Sequence, residues 1–125
     1  MSERAQPAAL IDALHEGIAG LKASLGDEDP AFLDAVLGAF TEQAPILLDQ
    51  LRSAVDADDH ATARRAAHTL KGNFANLGLD EVAAVCARIE AAAAGPATVD
   101  GKDLGRLEHA LRVVMTELST RTAPN

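Results

Sequence analysis

Apolar residues recur at intervals of three and four along almost the whole chain, and that period admits one kind of backbone, the amphipathic helix. Leu10, Leu14, Ile18, Leu21 and Leu25 make a first stripe. Leu33, Leu37, Phe40, Ala44, Leu47, Leu51 and Val55 make a second. A third stretch carries Ala63, Ala66, Ala67, Leu70, Phe74 and Leu77. A fourth carries Leu79, Val82, Ala83, Cys86, Ile89 and Ala93, and a fifth Leu104, Leu107, Leu111, Val114 and Leu118. Residue choice agrees with the period. Ala and Leu abound, Trp and Tyr are missing and only three Phe occur, whereas strands favour β-branched and aromatic side chains.

Turn signals divide the stretches. Gly26 to Asp29 breaks the first from the second, with Asp29 as an N-cap and Pro30 at the first helical position. The first helix, about 7–25, contains Gly17 and Gly20 and is expected to be loose. The second runs from about 30 to 57 with Pro45 inside it, which removes one hydrogen bond and bends the axis. The third starts near Asp58 or Asp59 and ends near Asn76. Leu77 to Asp80 closes it and caps the fourth, which stops at Gly95-Pro96, and Asp100 caps the fifth. Helices with short connections must bury their stripes against each other. The expected fold is therefore all-α: one domain over 1–125, an antiparallel up-down-up-down four-helix bundle over about 30–120 with an additional N-terminal helix packed on one end.

The formal net charge of −8 disfavours nucleic acid and anionic lipid as partners. A single cysteine, Cys86, excludes an internal disulfide and falls on an apolar stripe, where it reads as a small core residue. No apolar run approaches the roughly 20 residues of a spanning helix. The charged N-terminus, broken by Pro7, lacks the apolar stretch of a signal peptide. A cytoplasmic location, with no membrane contact, is expected.

The third stretch is where chemistry is concentrated. On a helical wheel His68 lies roughly 140° from the centre of the stripe, so it should face solvent. Its neighbours on that face are Arg64, Lys71, Gly72 and Ala75. Two are cations that can neutralise a phosphoryl group on the ring, and two are nearly bare. Gly72 costs a helix about 1 kcal/mol relative to Ala, and close approach of a partner would justify it.

His68-Thr69-Leu70-Lys71-Gly72, followed by Gly78, resembles the H-x-[LIV]-K-G-x5-G signature of histidine phosphotransfer (HPt) domains, and the similarity extends over about Ile11 to Leu118. The resemblance implies that His68 is phosphorylated, its Nε2 attacking the phospho-aspartate of a receiver domain. It places Lys71 beside the phosphoryl group, gives Gly72 the role of clearing room for the receiver and has Gly78 turn the chain. Arg64, Ala75, Gly78 and Glu90 then surround the docking face. Some members carry a Gln that hydrogen-bonds the imidazole; Glu90 matches it here, and a carboxylate can accept from Nδ1 but cannot donate. Partners would be receiver domains of response regulators or hybrid histidine kinases. The receiver supplies Mg²⁺, so the chain itself needs no cofactor, and a monomer suffices. With no Gly-rich phosphate loop, the chain reads as a phosphohistidine carrier without an ATP site, not an enzyme in its own right.

Competing readings are weaker. The phospho-accepting half of a histidine kinase usually has an acidic residue after the histidine, where Thr69 stands. A helical adaptor that binds a signalling partner without phosphotransfer would not need Lys71 and Gly72. Metal binding is not expected: His60 and His68 lie two turns apart, about 12 Å along the axis, and Asp12-x-x-His15 has no second such pair. His15, His60 and His109 read as idle, and Glu42, Gln43 and Asp49 as exposed-face residues unless they rim the docking surface.

Overall fold

The computed structural model describes residues 7–25 and 30–122. It contains five helices, α1 (Pro7–Leu25), α2 (Pro30–Asp56), α3 (His60–Asn76), α4 (Asp80–Ala94) and α5 (Gly101–Thr122), and no strand among the described residues. The break before Pro30 and its Asp29 cap lie outside them.

Each turn has a local cause. Asp58 takes a left-handed φ of 55°, a conformation Asp tolerates. Asp59 caps α3, its Oδ1 accepting the Thr62 N–H at 3.2 Å, and hydrogen bonding from Thr62, its side chain first and its backbone second, holds the carboxyl below the usual range. At the far end Leu79 N–H reaches back to Phe74 O and Gly78 N–H to Ala75 O, with Gly78 at φ 74°. This is a Schellman-type stop, in which glycine adopts the left-handed φ without a side-chain penalty. Within the Leu77–Asp80 segment it is Leu79 that caps α4, without a side-chain bond, and Asp80 sits inside the first turn. There its charge faces the positive end of the helix dipole. Asp100 Oδ1 accepts from Lys102 N–H at 2.8 Å and opens α5.

The stripes meet in one core. Helix α3 packs most extensively on α4 and α2, α5 touches both α4 and α2, and α1 rests on α5 and α2. Leu14, Leu51, Leu70, Phe74, Leu77, Leu107 and Val114 are fully buried. Phe40 and Phe74 meet edge to face at 5.4 Å, a favoured aromatic geometry. By length and mean hydropathy the Ala31–Asp56 stretch is apolar enough to cross a membrane, which corrects the expectation that no run approaches this. Within the bundle that stretch is amphipathic: Leu33, Leu37, Phe40, Ala44, Leu51 and Ala54 are buried, and Asp34, Glu42, Gln43 and Asp49 are exposed.

Two contacts were not legible in the pattern. Gly17, expected to loosen α1, instead lets it lie directly on the α3–α4 turn: a Cβ there would stand 1.7 Å from Leu77 O. Asp103, in the first turn of α5, is buried and takes bonds from Arg88 of α4 (Nη2 at 3.0 Å, Nε at 3.2 Å) and from Arg106 (2.9 Å). Arg88 is the main reason its carboxyl is held below the usual range.

Gly17→Ala is expected to destabilise the fold by about 1–3 kcal/mol through overpacking. Gly20→Ala, in open space, should stabilise it by up to about 1 kcal/mol. Urea denaturation of both variants checks the contrast, and equal shifts would remove Gly17 from the contact. Asp103→Ala should cost about 1–3 kcal/mol, less than a fully buried pair, because half-exposed Arg88 can re-solvate. The same denaturation measurement reads it.

Candidate functional site

The apolar stripe of α3 fixes what its outer face can show. Ala63, Ala66, Ala67, Leu70 and Phe74 are buried, which leaves Arg64, Arg65, His68, Thr69, Gly72 and Ala75 exposed and Lys71 half-buried. The His68 side chain is 65% exposed, so the imidazole projects from the bundle as the wheel required. A Cβ placed on Gly72 would meet nothing within 4 Å. No contact inside the described chain demands glycine there. Ala75 continues the same low, bare strip. Gly78 lies at the end of α3, where it turns the chain toward α4 and faces Gly17 of α1.

Glu90 reaches this face from α4. Its Oε2 stands 2.9 Å from His68 Nδ1, and its Oε1 stands 2.7 Å from Lys71 Nζ. One carboxylate thus bridges the ring and the ammonium. Lys71 first, with help from His68, holds the Glu90 carboxyl below the usual range against the opposing effect of burial. Glu90 is therefore ionised near neutral pH and can only accept. The hydrogen on His68 must then sit on Nδ1 when the ring is neutral, which leaves the Nε2 lone pair on the outer edge. Nε2 has no partner among the described residues. The site is an imidazole with a fixed tautomer and an accessible nucleophilic nitrogen.

Lys71 was expected beside a phosphoryl group; the structure pairs its ammonium with Glu90. Arg64 is exposed one turn before His68. Arg65 donates to Thr62 Oγ1 at 3.3 Å. Burial pushes the Cys86 thiol up to about 12, which makes it a core residue and a poor nucleophile. Among the described residues no group of three or more His, Cys, Asp or Glu could hold a metal ion. A cleft of about 550 Å³ between α1, α4 and α5 is lined by Leu10, Val85, Arg88 and His109 among others, and includes neither His68 nor Glu90.

The remaining histidines are placed apart from this site. His15 pairs with Glu117 of α5 at 2.6 Å, and His60 is the first residue of α3. His109 has a buried Nε2 without a partner among the described residues. The Lys71–Glu90 contact and the Arg88–Asp103–Arg106 cluster went unread in the sequence. A lone acidic residue on the buried side of a stripe, such as Asp103, is the one signal that could have pointed to the second.

In comparison with known proteins, the model of the Hpt domain family matches residues 35–119 of this chain. No curated protein and no solved structure matches it.

Glu90→Ala should convert the single His68 tautomer into a mixture, read in ¹⁵N chemical shifts of the ring. The sign of the pH effect follows from the lowered Glu90 pKa. Its ionic contribution is complete above the ordinary carboxylate range, near 4.5, and is lost as pH falls through the depressed folded value. Stabilisation from the Lys71–Glu90 pair, read by urea denaturation of wild type against Glu90→Ala, should persist at pH 5 and fade in stronger acid. Loss of that difference already at pH 6 would contradict it.

Proposed function

The chain belongs to the Hpt domain family, and from that premise we propose that His68 carries a phosphoryl group between receiver domains of a phosphorelay. Family membership implies histidine phosphotransfer by a carrier module that does not itself bind ATP. The observation that carries the assignment to His68 is its geometry: an exposed ring with Nδ1 committed to Glu90 and Nε2 outward.

In the proposed reaction the Nε2 lone pair attacks the phosphorus of a receiver phospho-aspartate. The P–O bond to the aspartyl carbonyl carbon's oxygen breaks, and its electron pair leaves with the carboxylate. No proton needs to move. The ring becomes positive as the N–P bond forms, and that charge is shared with Nδ1–H, which already donates to ionised Glu90. Glu90 thus plays the orienting and charge-compensating part that an aspartate plays behind a catalytic histidine. Lys71 keeps Glu90 ionised and aimed. Phosphoryl transfer asks little more of a carrier than in-line access and compensated charge. Transfer to the next receiver is the reverse displacement by its aspartate.

Gly72 and Ala75 leave a low strip along α3 on which a receiver can settle, with Arg64 on the rim; Gly78 serves the docking face by ending α3 where it does. We further propose the arrangement that the packing partners favour, an antiparallel up-down-up-down bundle of α2 to α5 with α1 against one end. The protein would work as a cytoplasmic monomer whose partners are receivers of response regulators or hybrid kinases. The Mg²⁺ of the reaction belongs to the receiver.

Mixing the protein with a ³²P-labelled phospho-receiver should move label onto the wild type and not onto His68→Gln. The label should be stable in alkali and labile in acid. Gly72→Gln should slow transfer by about tenfold or more, equivalent to ~1.4 kcal/mol, while denaturation shows equal or higher stability, by up to about 1 kcal/mol. Label retained by His68→Gln would end the assignment.

A further inference from the structure

Phosphorylation adds close to two negative charges beside His68, and the cation that the sequence motif offers for them is already engaged. Lys71 Nζ lies 2.7 Å from Glu90 Oε1, and the same carboxylate holds Nδ1 through Oε2. The two ring nitrogens point to opposite edges of an imidazole. The carboxylate that engages Lys71 is the one bound to Nδ1, and Lys71 makes no contact with Nε2 among the described residues. Moving Lys71 across would leave Glu90 without its main partner, next to an incoming dianion.

The other cations nearby can be sorted by their contacts. Arg88 is bound by three hydrogen bonds to Asp103, on the α5 side of α4. Arg65 donates to Thr62 Oγ1. Arg64 is exposed and forms no ion pair or side-chain hydrogen bond among the described residues. It lies four residues before His68, the spacing at which helical side chains are surface neighbours. A guanidinium also presents a planar fork that fits two phosphoryl oxygens, which an ammonium does not.

We propose that Arg64, and not Lys71, is the side chain that contacts the phosphoryl oxygens of phospho-His68, while Lys71 stays on Glu90 as a positioning residue. The inference rests on His68 being the carrier and assigns the charge compensation within that site. Because Arg64 is exposed and outside the core, its replacement leaves the fold intact.

The test is ³¹P NMR of the full chain, phosphorylated with phosphoramidate (the P–N bond breaks and ammonia leaves) or with a phospho-receiver. The phosphoryl resonance is titrated with pH in wild type, Arg64→Gln, Arg64→Lys and Lys71→Gln. A contacting cation favours the dianion, so Arg64→Gln should raise the titration midpoint by roughly half a pH unit, the size an exposed ion pair supports. Arg64→Lys should recover much of that shift. Lys71→Gln should leave the midpoint within error of wild type while disturbing the ¹⁵N tautomer signature of the unphosphorylated ring. A midpoint moved by Lys71→Gln and not by Arg64→Gln, or by neither, overturns the inference while leaving His68 as carrier. Failure of either donor to produce a wild-type phosphohistidine resonance that His68→Gln lacks overturns both.

Discussion

The contact between α3 and α4 sets the position of everything that can react. Helix α3 presents Ala63, Ala66 and Ala67 along its buried stripe, with bulk only at Leu70 and Phe74. Small residues at a helix interface let the axes come close. Helix α4 answers with Val82, Cys86, Ile89 and Ala93, and Glu90 follows directly after Ile89 at the seam. Burial of Ile89 therefore delivers the neighbouring carboxylate to the edge of α3, at the height of His68 and Lys71. A slip of one residue along either stripe would rotate Glu90 by about 100° and separate it from both.

That seam is anchored at one end by backbone fit and at the other by charge. Where α3 stops, Gly78 turns the chain and Gly17 lets α1 lie against Leu77 O, so that no side chain intervenes between the first helix and the turn. Toward the α4–α5 junction, Asp103 is buried and shared by Arg88 and Arg106. A carboxylate can be buried here because several donors replace its water. Both anchors lie away from His68, which leaves the outer face of α3 free of structural duties.

The electrostatics of the face are as selective as its shape. The chain carries a net charge of −8, yet cations cluster on α3 at Arg64, Arg65 and Lys71. Glu90 offsets one of them and in doing so ties down Nδ1. On the proposed reading this separates two tasks, ring orientation at Nδ1 and charge compensation at Nε2, onto different side chains. A receiver's acidic pocket would meet a locally cationic strip on an otherwise acidic protein, which favours one docking face over the rest of the surface.

The period of the apolar residues was enough to determine five helices, their approximate ends, the buried stripe of α3 and the outward direction of His68, because each follows from 3.6-residue geometry and the cost of exposing leucine. The short run around His68, Lys71 and Gly72 was enough to suggest the chemistry. Side-chain partners between helices were not determined in this way. That the Glu90 which resemblance had set beside His68 also grips Lys71, that Gly17 is a contact and not a weakness, and that Asp103 gathers two arginines depend on the relative height and rotation of separate helices. Spacing within one helix carries no information about that height and rotation, and only their packing together decided it.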